Sequence, residues 1–220
     1  LISTLDAARE DQLTVRVPAA PDWTVLDVLA HVTGLAADLN AQRFPEPDDI
    51  GGTAWADRQV LDRRSRNLHD VKVEWDLEAP AFEEVLRLFG YEFGSHFVAD
   101  LYTHSQDVRA ALMLVADRDE LTVAVALDHY LGFVDEMLTA AGWGMLEIMA
   151  GPETYRLGGD GPTRARLTAE PFDVLRMLSA RRSARQIRAQ QWEGDADGFV
   201  TLLRSGFVGG YSLPVDDLIE

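Results

Sequence analysis

The chain contains no cysteine. Disulfides, cysteine metal ligands and a cysteine nucleophile are excluded together. Any thiol chemistry has to use a thiol brought in by another molecule. The chain also lacks a run of about 18 apolar residues, the least that crosses a membrane as a helix. Positive charge is scarce, with 20 Lys and Arg against 37 Asp and Glu and a formal net charge of -17. A nucleic-acid surface needs a basic stripe to neutralise phosphates, and anionic lipid makes the same demand. Neither partner is expected. The opening stretch "LISTLDAARED" has no basic segment followed by an apolar one, so no signal peptide is expected and a cytoplasmic location is. It starts in helical pattern without Met, and reads as having lost some N-terminal residues.

What is present is apolar side chain in quantity. Hydrophobic residues make up 47% of 220, enough for one large or two small cores and too much for disorder. In "PDWTVLDVLAHVTGLAADLNAQRF", Thr24 followed by Asp27 is a capping-box signal. Val25, Val28, Leu29, Val32, Leu35, Ala36 and Leu39 then recur at helical spacing. "PEPDDIGG" (45–52) reads as a loop. A charged helical stretch from Thr53 to Leu77 follows, with a break near Ser65 to Leu68, and Pro80 interrupts it. "AFEEVLRLFGYEFGSHFVADLYTHSQDVRAAL" is helical again, with Gly90 a break. A further helix spans about Leu121 to Ala141.

No alternating strand is evident up to about residue 141. Four or more helices with short connections predict an antiparallel bundle. Composition then shifts. "LEIMAGPETYRLGGDGPTRARLTAE" predicts two or three strands joined by turns. "PFDVLRMLSARRSARQIRAQQWEGDADGFVTLLRSGF" returns to helix near Pro171. The expected fold is therefore mainly α: a helical bundle over 1–142, then a small α+β domain over 143–220, joined near "AAGWG" (140–144).

The chemistry-bearing residues lie on two of the helices. Asp100 and His104 are four apart, one turn along one helical face. His104 falls among Phe93, Phe97, Leu101 and Val108, with Asp100 and Asp107 flanking the stripe. A buried unpaired carboxylate is costly, so either that face is wet or a cation compensates it. His31 leans the same way beside Val28, Val32 and Leu35. Two inward histidines and a carboxylate form a three-ligand metal set, for which zinc with an open position is the usual occupant. The same spacing also fits a helix-stabilising ion pair and a hydrogen-bonded core histidine. His96, four residues before Asp100, is a rival ligand. His69 and His129 read as surface residues. "RLGGDG" (156–161) reads as a turn rather than a phosphate loop. The basic cluster "SARRSARQIR" (179–188) is either an anion site or a solvated helix face.

"PDWTVLDVLAHVTGLAADL", "WADRQVLDRR" and "DLYTHSQDVRAAL" resemble the helical domain of the mycothiol-dependent maleylpyruvate isomerase family, part of the DinB-like superfamily. "PFDVLRMLSARRSARQIRAQQWEGD" is similar to that family's small C-terminal domain. The resemblance implies a DinB-like antiparallel four-helix bundle holding a divalent metal, typically zinc. The ligands would be His31, Asp100 and His104, and His96 would not take part. The family's isomerase carries glutamate at the position of Asp100. An arginine of the C-terminal domain takes part in catalysis there, and Arg181 or Arg182 is the nearest match. The implied function is a zinc-dependent enzyme using mycothiol as thiol cosubstrate, an isomerase or S-transferase of a small electrophile. The alternatives are a non-catalytic DinB-like metal- or ligand-binding protein and a thiol-independent metal hydrolase. Asp107 has no ligand role in this pattern, though an acid there can orient a neighbouring ligand or arginine. Oligomeric state is not legible.

Overall fold

A computed structural model describes residues 1–49, 52–205 and 213–220. Residues 50–51 of the expected 45–52 loop lie outside the described residues, as do 206–207 at the end of the expected C-terminal helical stretch. Contacts divide the chain into two compact units, Leu1–Asp117 with Glu220, and Arg118–Ile219. The described residues are mainly helical, with ten helices and six strands. None of these helices is long and apolar enough to cross a membrane.

The first unit opens with two short helices, α1 (Ile2–Asp6) and α2 (Glu10–Leu13). A small antiparallel pair follows, β1 (Arg16–Val17) and β2 (Ala20–Thr24). The sequence reading missed this pair because two-residue and five-residue strands carry too little alternation to register. Thr24 then caps α3 (Val25–Asn40): its hydroxyl accepts from the Asp27 amide while Asp27 accepts from the Thr24 amide. Every residue of α3 from Val28 to Ala37 is buried, so this helix runs through the middle of its unit, packed by α4 (Thr53–Leu61), α5 (Leu68–Phe89) and α6 (Tyr91–Ala111). Asn67 caps α5, where the sequence placed a break. Gly90, at φ 81, separates α5 from α6.

Pro80 does not interrupt α5; it lies inside it. A proline removes the hydrogen bond to the carbonyl four residues back. Here both Pro80 and Asp76 are exposed, so the released carbonyl can turn to water. Two apolar clusters fill the unit. One gathers Leu5, Val17, Trp23, Val28, Val60 and Val108, and the other Leu35, Leu39, Phe82 and Phe97.

The second unit begins with α7 (Glu120–Ala140). Its strands β3 (Met145–Ala150), β4 (Glu153–Leu157), β5 (Thr163–Ala169) and β6 (Gln191–Gly194) form one sheet in the order β4-β3-β5-β6. The β3–β5 pair is parallel and the others antiparallel. Helices α8 (Pro171–Leu178), α9 (Ala184–Arg188) and α10 (Ala196–Arg204) complete it. Two or three strands were expected over 146–170, and three are present, β3, β4 and β5. The helical stretch expected after Pro171 is instead divided. Ala180 at φ 58 ends the first piece, Ser183 caps the second, and "QWEG" joins the sheet edge.

Composition placed a join near 140–144, whereas contacts divide the chain at Asp117 and Arg118. The difference is α7, which contacts α8 and β4. Its Asp135 carboxylate accepts the Gly158 amide at 2.7 Å. Helical periodicity reports that a helix has a buried face, not which neighbour buries it.

Gly34 sets the distance between α3 and α4. A Cβ there would stand 2.5 Å from the Gln59 Cβ and 2.8 Å from Arg63 Nη1. In an open helix, Gly to Ala gains up to about 1 kcal/mol. Overpacking of this kind costs about 1–3 kcal/mol and wins here, because a Cβ cannot swing away. Gly34→Ala is expected to lower the urea midpoint. Gly132→Ala, exposed on α7 with nothing within 4 Å, should leave it unchanged or raise it.

Candidate metal centre

The residues that meet in the first unit come from α3, α4, α6 and β2. On α6, Asp100, His104 and Asp107 follow one another at four and three residues, and so share a face. His104 and Asp107 are buried, while the Asp100 side chain is 27% exposed. His31, also buried, comes from α3 and lies seven residues past its capped start. The Nε2 atoms of both histidines face the same carboxylate. His31 Nε2 is 3.6 Å from Asp100 Oδ2, and His104 Nε2 is 3.4 Å from Asp100 Oδ1. Donor atoms of the three residues all fall within 4.8 Å of one another.

The outer nitrogens of the two rings also face polar groups, that of His31 within hydrogen-bond distance and that of His104 at ion-pair distance without a hydrogen bond. His31 Nδ1 lies 2.9 Å from Gln59 Oε1. The amide of Gln59 is oriented by its other end, since its Nε2 donates to Asp38 Oδ2 at 2.9 Å and only the nitrogen can donate. Its Oε1 therefore accepts, and His31 donates from Nδ1. Across the site, His104 Nδ1 faces Asp107 Oδ2 at 3.5 Å. Trp23, delivered by β2, packs against both rings, with centroids 5.0 Å from His31 and 5.9 Å from His104. Its indole N–H donates to Asp57 on α4.

These residues fit a metal ion by two observations. Asp100 Oδ2 is buried and has no hydrogen-bond partner among the described residues, a costly state for a carboxylate oxygen. The donor set is two imidazole nitrogens and one carboxylate oxygen, the mixture preferred by zinc and similar divalent ions. Metal–ligand bonds of about 2.0–2.1 Å at tetrahedral angles put donors about 3.3 Å apart, whereas here each imidazole faces a different oxygen of Asp100 and the donors lie within 4.8 Å of one another.

Without metal, charge holds the cluster together. Burial disfavours the imidazolium of His104, but Asp100 and Asp107 outweigh it and raise its pKa to about 9. Burial likewise disfavours the Asp100 carboxylate, yet His104 and His31 hold its pKa well below the usual carboxylate value. A metal ion would displace the proton held by His104.

Of the residues singled out in the sequence, His31, Asp100 and His104 are brought together and Asp107 stands behind His104. His96 is exposed, with its ring edge against Phe97 at 4.8 Å, and does not belong to the donor group. His69 is exposed and His129 half-buried against Tyr130 and Phe133. Arg181 and Arg182 belong to the second unit. They occupy the turn between α8 and α9 and are buried rather than on a solvated helix face. Arg181 donates to the Ser179 carbonyl, and Arg182 to the Arg181 carbonyl and Asp173. Sequence reasoning did not single out Gln59 or Trp23 as part of the site. Gln59 reads as one polar residue on a charged helix, and only its closeness to Gly34 marks it.

No family model matches the chain, and no curated protein matches it. Among solved structures, it is similar to the crystal structure of a mycothiol-dependent maleylpyruvate isomerase carrying a histidine-to-alanine mutation. The TM-score is 0.50, over 81% of this chain and 82% of that one, at 14% identity. At that identity the likeness shows the fold alone.

The raised pKa of His104 has a consequence for the metal-stripped protein. Below about pH 6.5 the folded and unfolded chains both bind this proton, and the full contribution to stability is present. Between 6.5 and about 9 only the folded chain keeps it, so stability is expected to fall with rising pH until that contribution is gone. Asp100→Asn removes the larger carboxylate partner and should flatten the slope. Urea unfolding at pH 6 to 10 measures both.

Proposed function

We propose that the chain is a metal-dependent enzyme using mycothiol as thiol cosubstrate, an isomerase or S-transferase acting on a small electrophile in the cytoplasm. The metal, zinc by its donor set, is held by His31, Asp100 and His104. The observation that supports this reading is the buried, unpartnered Asp100 Oδ2 faced by imidazole nitrogen. The fold likeness to a mycothiol-dependent isomerase supports the choice of thiol over water chemistry, and in a chain without cysteine a thiol nucleophile has to come from a cosubstrate. A divalent metal bound there supplies a Lewis acid that lowers the pKa of a coordinated thiol, so that thiolate is present at neutral pH.

The chain's own residues do the positioning. Gln59 keeps the His31 proton on Nδ1, leaving Nε2 as donor. Asp107 does the corresponding work at His104 Nδ1, the carboxylate–histidine arrangement that raises ligand basicity. Trp23 covers both rings, excluding water and restricting ring rotation. The partial exposure of Asp100 leaves one side for a thiol to approach. The catalytic arginine carried by the resemblance to Arg181 or Arg182 remains part of the proposal. A substrate contact there would share a guanidinium that already serves its turn.

Metal analysis of protein purified without a metal-binding tag is expected to give one divalent ion per chain. His31→Ala and His104→Ala should abolish it. Gln59→Leu and Asp107→Asn should weaken affinity about 10- to 100-fold. Mycothiol at 100 times its Kd should stabilise the loaded protein by about 2.7 kcal/mol. A protein with no stoichiometric metal, whose alanine variants match wild type in stability, sinks the reading. Turnover of an electrophile without thiol would replace it with a hydrolase.

A further inference from the structure

His31, Gly34 and Asp38 stand on one face of α3, at steps of three and four residues. The Gln59 side chain of α4 lies across that face. Its Cβ is set against Gly34, and its amide reaches His31 in one direction and Asp38 in the other.

Asp38 is held in turn by the end of its own helix. Gln42, at φ 56, takes the chain into the left-handed region. The Gln42 amide donates to the Leu39 carbonyl at 3.0 Å and the Arg43 amide to the Asp38 carbonyl at 2.8 Å, the paired bonds of a Schellman turn. That turn brings the Arg43 side chain back onto Asp38. Its Nε and Nη2 both lie 2.8 Å from Asp38 Oδ1, while Oδ2 accepts from Gln59 Nε2 at 2.9 Å. The Asp38 side chain is 13% exposed and Gln59 1%, so a mismatched donor or acceptor here is costly.

A guanidinium can only donate and a carboxylate can only accept. This gives the row of contacts a direction. With Oδ1 on Arg43, Oδ2 receives the Gln59 nitrogen, so Oε1 faces His31 and accepts from Nδ1. The reversed amide would set Oε1 against Oδ2, two acceptors at hydrogen-bond distance. It would also donate to His31 Nδ1 and so move the ring proton to Nε2, the nitrogen that faces Asp100.

We propose that Asp38 and Arg43 are positioning residues of the centre, which together set the nitrogen on which His31 carries its proton. A carboxylate at 38 keeps Nε2 free to bind a metal, and a carboxamide there would not. The proposal rests on the reading above only for what Nε2 binds, since the place of the proton is a property of the chain itself.

Asp38→Asn tests it with shape kept and only the donor pattern changed. Arg43 holds the new carboxamide by its oxygen, so its NH2 faces Gln59, whose amide has to reverse. Long-range 1H–15N spectra of metal-free protein locate the ring proton, with His31 identified by its absence from His31→Ala. They are recorded at about pH 9, where an imidazole of ordinary pKa, about 6.5, is neutral. The proton is expected on Nδ1 in the wild type and on Nε2 in Asp38→Asn. Gln59→Glu added to Asp38→Asn should return it to Nδ1, because both glutamate oxygens accept. Arg43→Ala added to Asp38→Asn lets the carboxamide turn and should give both forms. Zinc affinity, read by competition with a chelator, should fall about 10- to 100-fold in Asp38→Asn and recover with Gln59→Glu. An Asp38 that only stabilises the helix end would lower the urea midpoint without moving the proton. A wild-type proton elsewhere than on Nδ1, a proton unmoved by Asp38→Asn or not returned by Gln59→Glu, a full inversion that survives Arg43→Ala, or a zinc affinity indifferent to the proton overturns the proposal. Zinc binding absent from every variant, with the proton moving as stated, sinks the metal reading and leaves the positioning role standing.

Discussion

A carboxylate placed among apolar side chains has to find compensating charge, and the first unit is arranged around that requirement. Asp100 meets two imidazoles, and each imidazole is backed by a further polar group, Gln59 on one side and Asp107 on the other. Removing one partner from such a set leaves the others buried and uncompensated, which costs more than a surface ion pair would. The polar centre also lies between two apolar clusters. Val28 and Val108 belong to one, and Leu35 and Phe97 to the other. The helices that bury the core are thus the same helices that bring the donors together.

Order in the centre comes from backbone features some distance away. The capping box at Thr24 fixes where α3 starts, and so which way His31 points. Trp23, one residue before that cap, is buried over the rings as a result. Gly90 separates two long helices so that α6 can return along α3 with Asp100 and His104 facing inward. A chain reversal and a helix start, neither in contact with the donors, decide their approach.

Much of this was legible in the sequence. The i,i+4 spacing of Asp100 and His104 placed both on one face, and a histidine among Phe97, Leu101 and Val108 left a wet face or a compensated, buried one as the two readings. The mainly helical character, and a stretch of two or three strands after residue 145, followed from periodicity and turn residues. What remained hidden was pairing across the fold. Periodicity could not assign α7 to the second unit, because its stripe is the same whichever neighbour buries it, here α8 and β4. Gln59 was hidden for a related reason, since its significance lies in what faces it. Pro80 was misread because the rule against proline in a helix assumes that the freed carbonyl has no access to water.

The close approach at Gly34 also bears on how such a site can change over generations. Room for a larger residue at 34 has to come from losing the side chain at 59 altogether, since the nearest atom an added methyl would meet is the Gln59 Cβ, followed by Arg63 Nη1. Shortening Gln59 releases the His31 proton to either ring nitrogen. The two positions are therefore epistatic: a lineage that fills the gap first loses the tautomer lock, and one that keeps the lock inherits the glycine. In an alignment of relatives, a side chain at 34 together with glycine at 59 would mark chains in which the histidine tautomer is no longer fixed from α4.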